Sequence, residues 1–369
     1  MEALITGGTG LVGHHLIPAL QQRGDDVRVL VLPSENTDWL EARGVKVYRG
    51  NICDPDTLIE PMRGVDTVFH LAAMQGLWVP IENYYKVNVT GTENVCRASL
   101  TAGVRRVVHV SSWTIYGMNH GKPLTEDIPP APRNDPYWIT KAQGDLLVQR
   151  MIAKDHLPAA IIRPGTIFGV GDRLNFGRMA DKVRAGKGLI IGFGHNALPL
   201  VYVTDVVQGL LLCADQDRAE GQAFNITNDQ PLTQEKLLRA IAQELGVAPP
   251  RLHVPYLAAY AIAYAAERAV KFTGATSPLV TRHGVTLYGT NNRHSIDKAR
   301  KELGYTPQVS IREGVHLACS WYQEGSLSAP KSSGVSSQGA AIASTHAESN
   351  ATPHVDAFPT ASTDSSALR

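Results

Sequence analysis

The chain has 369 residues, of which 43 % are hydrophobic and 19 % are charged. This length and composition suit one large α/β domain with an elaborated end, or two coupled domains. The formal net charge of +1 argues against a broad electrostatic surface for nucleic acid. None of the four cysteines stands in a Cys-x-x-Cys pair, which is typical of a reduced cytoplasmic protein and predicts no metal site.

Strand and helix signals alternate through the first half of the chain. This pattern predicts an α/β fold with a Rossmann-type, doubly wound parallel sheet. Six strands are expected, at residues 3–6, 27–32, 45–48, 67–70, 107–110 and 160–163. Helical crossovers are expected at 11–24, 51–63 and 81–102, and another helix should begin near Asp135, which can cap it, and Pro136, which suits its first turn.

After Pro164 the alternation loosens, and the later segments are interpreted as insertions around a site rather than as more sheet core. We therefore predict an NAD(P)-binding Rossmann domain at 1–164 that carries the catalytic residues, and a smaller substrate-binding region at 165–325, interleaved with the sheet. Residues 326–369 are rich in Ser, Ala, Thr and Pro and are expected to form a disordered tail.

The sequence predicts neither a signal peptide nor a membrane span. The first predicted strand begins next to Met1, which leaves no room for a signal peptide. No window approaches the roughly 18 consecutive apolar residues of a membrane span. A cytoplasmic location is expected.

A glycine-rich turn follows the first predicted strand. Gly7, Gly10 and Gly13 stand where the strand ends and a helix begins. A helix N-terminus presents unpaired N–H groups and a positive dipole end, and glycine lets a diphosphate approach them. A bare glycine turn is as often only a loop, but in this context it predicts a dinucleotide held by Gly7, Gly10, Leu11, Val12 and Gly13.

Tyr137 and Lys141 are four residues apart on a predicted helix, and Ser112 lies upstream. Residues at i and i+4 share a helix face, so the ammonium of Lys141 is expected to lower the pKa of the Tyr137 phenol and make it a general base. Ser112 could hydrogen-bond the same substrate oxygen. The Tyr-Lys pair alone would more simply be a packed ring and a solvated charge. Together with the glycine turn, the three residues predict an oxidoreductase.

The end of the second predicted strand bears on the choice of cofactor. An acidic residue there would bind the adenosine ribose and select NAD, whereas an arginine would accept a 2′-phosphate. Leu32 stands at that end and Glu35 comes late, while Arg28 should point sideways from within the strand. No basic group follows the strand, which favours NAD and leaves NADP open.

Six motifs occur in the order found in the extended short-chain dehydrogenase/reductase superfamily, the NAD-dependent epimerase/dehydratase type, and the chain resembles that superfamily over most of its length. They are TGGTGLVG at 6–13, VFHLAA at 68–73, NVTGT at 88–92, VSS at 110–112, YWITK at 137–141 and RPGTIFG at 163–169. The resemblance implies that Ser112, Tyr137 and Lys141 are catalytic, and that Tyr137 and Lys141 also contact the cofactor. Further cofactor contacts are implied at Asn51, Ile52, Leu71, Ala72, Ala73, Asn88 and Pro164. Asn51 replaces the usual Asp.

The second half most resembles the 3β-hydroxysteroid dehydrogenase/isomerase and sterol-4α-carboxylate 3-dehydrogenase family. The matching segments are IRPGTIFG at 162–169, AFNITNDQP at 223–231, HVPYLAAY at 253–260, SIDKA at 295–299 and LGYTP at 303–307. Nucleotide-sugar epimerases usually carry Asn where this chain has Thr166. The resemblance implies oxidation of a secondary ring alcohol on a sterol-like or other lipid-like substrate. A nucleotide-sugar 4-epimerase or dehydratase is the alternative, and a non-catalytic dinucleotide sensor is the second.

Two further expectations concern surfaces. Tyr256, Tyr260 and Tyr264 recur at every fourth position, so a helix would align them for a lipid-like substrate or a peripheral membrane contact, unless it simply packs on the core. Trp138 is a substrate wall or a structural aromatic.

The predicted helices at 81–102 and 135–154 correspond to those that form a homodimer in related proteins. No nucleic-acid partner is expected.

Overall fold

The strands and helices were located in a computed structural model, which describes residues 1–76, 78–117, 122–230, 232–273, 278 and 280–328. The strands are β1 (Glu2–Thr6), β2 (Asp26–Val31), β3 (Lys46–Arg49), β4 (Thr67–His70), β5 (Arg106–Val110), β6 (Ala159–Pro164), β7 (Thr166–Phe168), β8 (Ile190–Ile191), β9 (Ala197–Leu198), β10 (Leu200–Tyr202), β11 (Ala223–Ile226), β12 (Leu232–Thr233) and β13 (His253–Val254).

The helices alternate with these strands along the chain. They are α1 (Leu11–Gln22), α2 (Asp38–Glu41), α3 (Asp56–Met62), α4 (Ile81–Tyr85), α5 (Thr92–Ala102), α6 (Pro136–Asp155), α7 (Arg178–Arg184), α8 (Val203–Asp215), α9 (Gln234–Glu244), α10 (Tyr256–Thr273), α11 (Arg282–Gly289), α12 (Asp297–Leu303) and α13 (Ile311–Ser328). Within the described part of the chain, every helix falls short of the length and apolarity needed to cross a bilayer.

Seven strands form one parallel sheet in the order β11-β6-β5-β4-β1-β2-β3. The order reverses between β1 and β4, so the loops that follow these two strands leave the same edge of the sheet on either side of a crevice, where ligands bind in such folds. Helices α1 and α8 pack on one face of the sheet, and α3, α5 and α6 pack on the other. The predicted Rossmann-type, doubly wound sheet is therefore confirmed.

Two sequence-based expectations about regular structure are wrong. β11 pairs in register with β6 and belongs to the central sheet, although everything after Pro164 was interpreted as lying outside the sheet core. The crossover expected at 81–102 is also not one regular helix, because a π-helical turn at Lys86–Gly91 separates α4 from α5.

The proposed division of the chain stays a prediction. Met1–Leu327 forms one compact unit, in which residues after 164 supply β11 to the sheet. Of the predicted tail at 326–369, Ser326, Leu327 and Ser328 belong to α13, and the rest lies outside the described residues.

We expect Gly144→Ala to destabilise the protein, because Gly144 lets α6 approach the π turn closely. A Cβ at this position would lie 2.5 Å from the carbonyl oxygen of Asn88. The clash should lower the free energy of unfolding by about 1–3 kcal/mol in urea denaturation. The control is Gly325→Ala on α13, where a Cβ meets nothing within 4 Å. Equal stabilities of the two variants would contradict the close packing inferred for Gly144.

Candidate functional site

The glycine turn joins β1 to α1 at the crevice. Gly7 has φ +72°, and a Cβ there would lie 2.7 Å from the backbone nitrogen of Ala72 in the loop after β4. Only glycine fits this contact, which brings the predicted cofactor residues Leu71, Ala72 and Ala73 against the turn. Helix α1 then begins at Leu11 with no side chain capping it and no acidic residue in its first turn. Its free N–H groups fit the diphosphate of a dinucleotide.

Asn88 lies inside the π turn and ties the loop after β4 to the helix that carries Tyr137. Its side-chain oxygen accepts a hydrogen bond from the backbone N–H of Met74 at 2.7 Å. Its amide nitrogen donates to the carbonyl of Met74 at 3.0 Å and to the hydroxyl of Thr140 at 3.1 Å. The Asn88 amide thus bonds to Met74 and Thr140, and its contact with the cofactor stays a prediction.

Helix α6, which carries Tyr137 and Lys141, begins where the sequence predicts. The Asp135 side chain caps it by accepting hydrogen bonds from the backbone N–H groups of Tyr137 at 3.0 Å and Trp138 at 3.2 Å. This cap fixes the backbone that carries Tyr137. Lys141 lies one turn further along α6, and its ammonium donates to the carbonyl of Val110 at the end of β5, 2.7 Å away.

Ser112 and Tyr137 are brought together as predicted. Ser112 lies within hydrogen-bonding reach of the Tyr137 phenol and favours its ionised form. Its oxygen also accepts hydrogen bonds from the backbone N–H of Thr114 at 3.2 Å and from the Thr114 hydroxyl at 2.9 Å. Because both donors of Thr114 point at this oxygen, the Ser112 proton is directed outward, toward the phenol or a substrate oxygen. No sequence rule pointed to Thr114, which lies two residues beyond Ser112.

The expected lowering of the Tyr137 pKa by Lys141 is wrong for this structure. Burial raises the pKa of Tyr137, and the hydrogen bond from Ser112 is the interaction that opposes this rise. Burial also lowers the pKa of Lys141 to about 8. Both shifts have the same cause, because removal from water disfavours the charged form of each group.

Two buried histidines lie close to Lys141. The His70 ring contacts the hydroxyls of Thr6 at 2.7 Å and Thr92 at 3.0 Å. His109 lies beside it, with ring centroids 5.3 Å apart. Burial, with a contribution from the charge of Lys141, lowers the pKa of His70 to about 3 and that of His109 well below its usual value. Both rings are therefore neutral near pH 7.

The side chain of Glu35 places a carboxylate at the end of β2. Although Glu35 comes late in the sequence, its carboxylate folds back and accepts a hydrogen bond from the backbone N–H of Leu32 at 3.1 Å. Arg49 from β3 donates to the carbonyls of Pro33 and Glu35. A carboxylate at this point suits the ribose hydroxyls of NAD, and the guanidinium is occupied by backbone.

The remaining predicted cofactor residues surround the same crevice. Asn51 uses its side-chain oxygen to accept from the backbone N–H of Cys53 at 2.9 Å, which leaves its amide N–H groups for a ligand. Ile52 is buried, and its side chain faces Gly91 of the π turn. Pro164 ends β6. The adenine and nicotinamide contacts assigned to Asn51, Ile52 and Pro164 stay predictions.

Helices α10 and α11 contact the start of α6. The Arg133 guanidinium donates to the hydroxyls of Tyr256 at 3.2 Å and Thr286 at 2.8 Å. The Trp138 indole N–H donates to His283 at 3.0 Å, and Trp138 is only 1 % exposed. Trp138 is thus a structural aromatic. Sequence reasoning missed Arg133 and His283, because nothing in their local sequence marks a contact across 120 residues or more.

Comparisons with known proteins agree with this geometry. A model of the NAD dependent epimerase/dehydratase family matches residues 3–227. A sterol-4-alpha-carboxylate 3-dehydrogenase (decarboxylating) from Mus musculus is 32 % identical, over 85 % of this chain and 89 % of that protein. A 2-alkyl-3-oxoalkanoate reductase from Stenotrophomonas maltophilia (strain K279a) is 31 % identical, over 85 % of this chain and 97 % of that protein.

A solved structure adds a nucleotide-sugar enzyme to these relatives. The dTDP-glucose 4,6-dehydratase from Streptomyces venezuelae, with NAD bound, is 26 % identical and superposes with a TM-score of 0.71, over 88 % of this chain and 97 % of that chain. The predicted superfamily, its enzyme class and its nicotinamide cofactor are confirmed by these matches.

We expect Ser112→Ala to raise the pKa of Tyr137 further. The variant removes the hydrogen bond that opposes the effect of burial, so the phenol should ionise at a higher pH. Carbon-13 NMR titration of labelled tyrosine measures this without a substrate. Ser111→Ala is the matched control, since Ser111 is equally buried and its hydroxyl has no hydrogen-bond partner among the described residues. An unchanged Tyr137 titration in Ser112→Ala would contradict the assigned hydrogen bond.

Proposed function

Because the chain belongs to the NAD dependent epimerase/dehydratase family, we propose that it oxidises a secondary ring alcohol of a sterol-like or other lipid-like substrate to a ketone. Ser112, Tyr137 and Lys141 are its catalytic residues in this proposal. The observation that carries it is the placement of Ser112 beside the Tyr137 phenol, one helical turn from Lys141.

The proton chemistry follows from these side chains. Tyr137 removes the hydroxyl proton of the substrate, and the outward-directed Ser112 proton hydrogen-bonds the same oxygen as it becomes a carbonyl. NAD, when bound, would supply the acceptor for the hydride of the carbinol carbon. The Lys141 ammonium has three N–H donors, of which Val110 takes one, so the others could hold the ribose. In the opposite direction, Tyr137 returns the proton to a ketone.

Two observations favour a lipid-like substrate. Thr166 stands where nucleotide-sugar epimerases usually have Asn. The relatives from Mus musculus and Stenotrophomonas maltophilia are named for sterol and alkyl-oxoalkanoate substrates, and each is more than 30 % identical. The alternative, a nucleotide-sugar 4-epimerase or dehydratase, is favoured by the 26 % identical dehydratase. A non-catalytic sensor would not need all three catalytic side chains.

Homodimer formation, a peripheral membrane contact and a cytoplasmic location stay predictions. Helices α5 and α6, which contain most of the predicted dimer segments, lie side by side on one face of the sheet. This placement suits pairing of the two helices with their counterparts in a second copy.

A substrate panel tests the proposed reaction. Sterol alcohols, lipid ketones and nucleotide sugars are each incubated with NAD(H) or NADP(H), and nicotinamide absorbance is followed. We expect turnover with sterol or lipid candidates and a preference for NAD(H), because of the Glu35 carboxylate at the end of β2. Conversion of a nucleotide sugar with no net change in absorbance would instead establish the epimerase alternative.

Tyr137→Phe tests the catalytic assignment. Loss of the phenol removes the general base, so turnover of the best substrate should fall about 100- to 10,000-fold. Affinity for NAD, measured by calorimetry, should be nearly unchanged. Tyr48→Phe on β3 is the control and should keep full turnover. An active Tyr137→Phe variant would exclude Tyr137 as the base.

A further inference from the structure

The residues that directly follow Ser112 and Tyr137 in the sequence pack against each other. Trp113 and Trp138 meet edge to face, with ring centroids 5.4 Å apart. Both indoles are buried. This contact couples the segment after β5, which carries Ser112, to the first turn of α6. The orientation of the Trp138 ring therefore bears on the distance between Ser112 and the Tyr137 phenol.

A histidine near the start of α11 fixes the Trp138 ring. The indole N–H of Trp138 donates to Nδ1 of His283 at 3.0 Å. The His283 ring also lies edge-on to the Tyr137 ring, with centroids 6.2 Å apart. An indole nitrogen can only donate, so Nδ1 is the unprotonated ring nitrogen and the single ring proton is on Nε2. The observed bond therefore requires the neutral form of His283.

The same ring nitrogen faces a carboxylate. Nδ1 of His283 lies 3.4 Å from Oδ2 of Asp135. The other carboxylate oxygen, Oδ1, caps α6 by accepting the backbone N–H groups of Tyr137 and Trp138. The side chains of His283 and Asp135 are 33 % and 24 % exposed, so a proton can reach Nδ1 from water. While the ring is neutral, Nδ1 and Oδ2 present lone pairs to each other.

Protonation of His283 exchanges its partners. Histidine changes its charge between about pH 5 and about pH 8. A protonated Nδ1 is a donor and can no longer accept the indole N–H of Trp138. The new N–H instead faces Asp135, with which it forms an ion pair. The buried indole N–H then loses its acceptor, which is unfavourable away from water.

The surrounding charges leave Asp135 as the partner of a charged His283. The charged and titratable groups that border His283 on α10, on α11 and at the start of α6 are Arg133, Asp135, Tyr137, Tyr256, Glu267 and Arg282. Glu267 is already paired with Arg282 at 2.6 Å. Arg133 donates to hydroxyl groups of α10 and α11. Burial raises the pKa of Tyr137, so its phenol adds no negative charge near pH 7.

We propose that His283 is a positioning residue whose protonation loosens the arrangement of Ser112 and Tyr137. Neutral His283 holds the Trp138 indole against Trp113, and charged His283 turns to Asp135 and releases the indole. A merely structural histidine would keep the same contacts at every pH. The effect on turnover rests on the proposed function, whereas the exchange of partners does not.

The indole N–H of Trp138 reports this exchange without any substrate. In the full chain with ¹⁵N-labelled tryptophan, its NMR resonance is identified by its loss in Trp138→Phe. We expect a single transition between about pH 5 and about pH 8, because the acceptor is lost at the acidic end. His283→Asn should abolish the transition, since the amide oxygen accepts the bond in one charge state only. Asp135→Asn, which still caps α6, should move the transition to lower pH.

His316→Asn is the matched control for His283→Asn. His316 lies on α13, and its Nδ1 also contacts a carboxylate, that of Glu244, at 2.8 Å. This variant should keep the Trp138 transition, and all variants should keep their unfolding temperature. A Trp138 resonance that is constant with pH, a transition that survives in His283→Asn, or an equal loss in His316→Asn would overturn the proposal.

Ketone reduction tests the consequence for the site. In this direction Tyr137 acts as a protonated phenol, so its own ionisation does not reduce turnover at acidic pH. We expect kcat of the unaltered chain to fall about three- to tenfold from about pH 7.5 to about pH 5.5, as expected for the loss of one hydrogen bond. His283→Asn should keep a level kcat over this range.

The kinetic outcomes separate this proposal from the proposed function. An equal acidic loss of kcat in the unaltered chain and in His283→Asn would overturn the positioning role. Failure of every candidate in the substrate panel would contradict the proposed function, and the Trp138 resonance would then decide whether His283 exchanges its partners.

Discussion

The side-chain amide of Asn88 is the contact on which the geometry of the site depends. It joins the loop after β4, which packs against the glycine turn, to Thr140 on the helix that carries Tyr137 and Lys141. The amide can do this because the chain forms a π turn at Lys86–Gly91, which adds one residue to the local helical repeat. The absence of a Cβ at Gly144 then allows α6 to approach that turn. A few neutral hydrogen bonds therefore fix the position of the loop after β4 relative to α6.

A second set of polar contacts holds the start of α6 from the opposite side. Arg133 bonds Tyr256 and Thr286, and Trp138 bonds His283, so that α10 and α11 are fixed beside the Asp135 cap. The start of α6, which carries Tyr137, thereby lies between two structures distant in sequence, the π turn and the α10–α11 pair. The Asp135 carboxylate, which caps α6, fixes the backbone at Tyr137. Rigid support of this kind is what a general base needs, because its reach is set by a hydrogen-bond distance.

Local patterns were sufficient to predict much of the first half. The spacing of Gly7, Gly10 and Gly13 and the Asp135-Pro136 start of α6 are short-range signals, and the structure places them as expected. Features that depend on distant partners were not predictable. β11 is a short strand whose identity comes from pairing with β6, and the π turn is dictated by packing against α6 rather than by its own residues. Glu35 reaches the end of β2 only because the loop folds back.

The same limit applies to α10. Its tyrosines and aliphatic residues both repeat at helical spacing, so periodicity alone could not decide which set faces the protein. The partners of Tyr256, on α11 and before α6, decide it. The exposed side of α10 therefore consists of the residues beside the tyrosines. Polar contacts, rather than hydrophobicity, determine which side of α10 is exposed.

The charge balance around Lys141 helps to explain why its pKa falls. Asp145, one turn beyond Lys141, is held by two hydrogen bonds from Arg163 at 3.0 Å and 2.8 Å, so that much of its charge is already compensated. The histidines near Lys141 are neutral and supply no negative charge. The buried ammonium therefore lacks a full counter-charge, and its pKa falls to about 8. At Lys141 the cost of removal from water thus outweighs the attraction of Asp145, and at Tyr137 the same cost outweighs the effect of Ser112.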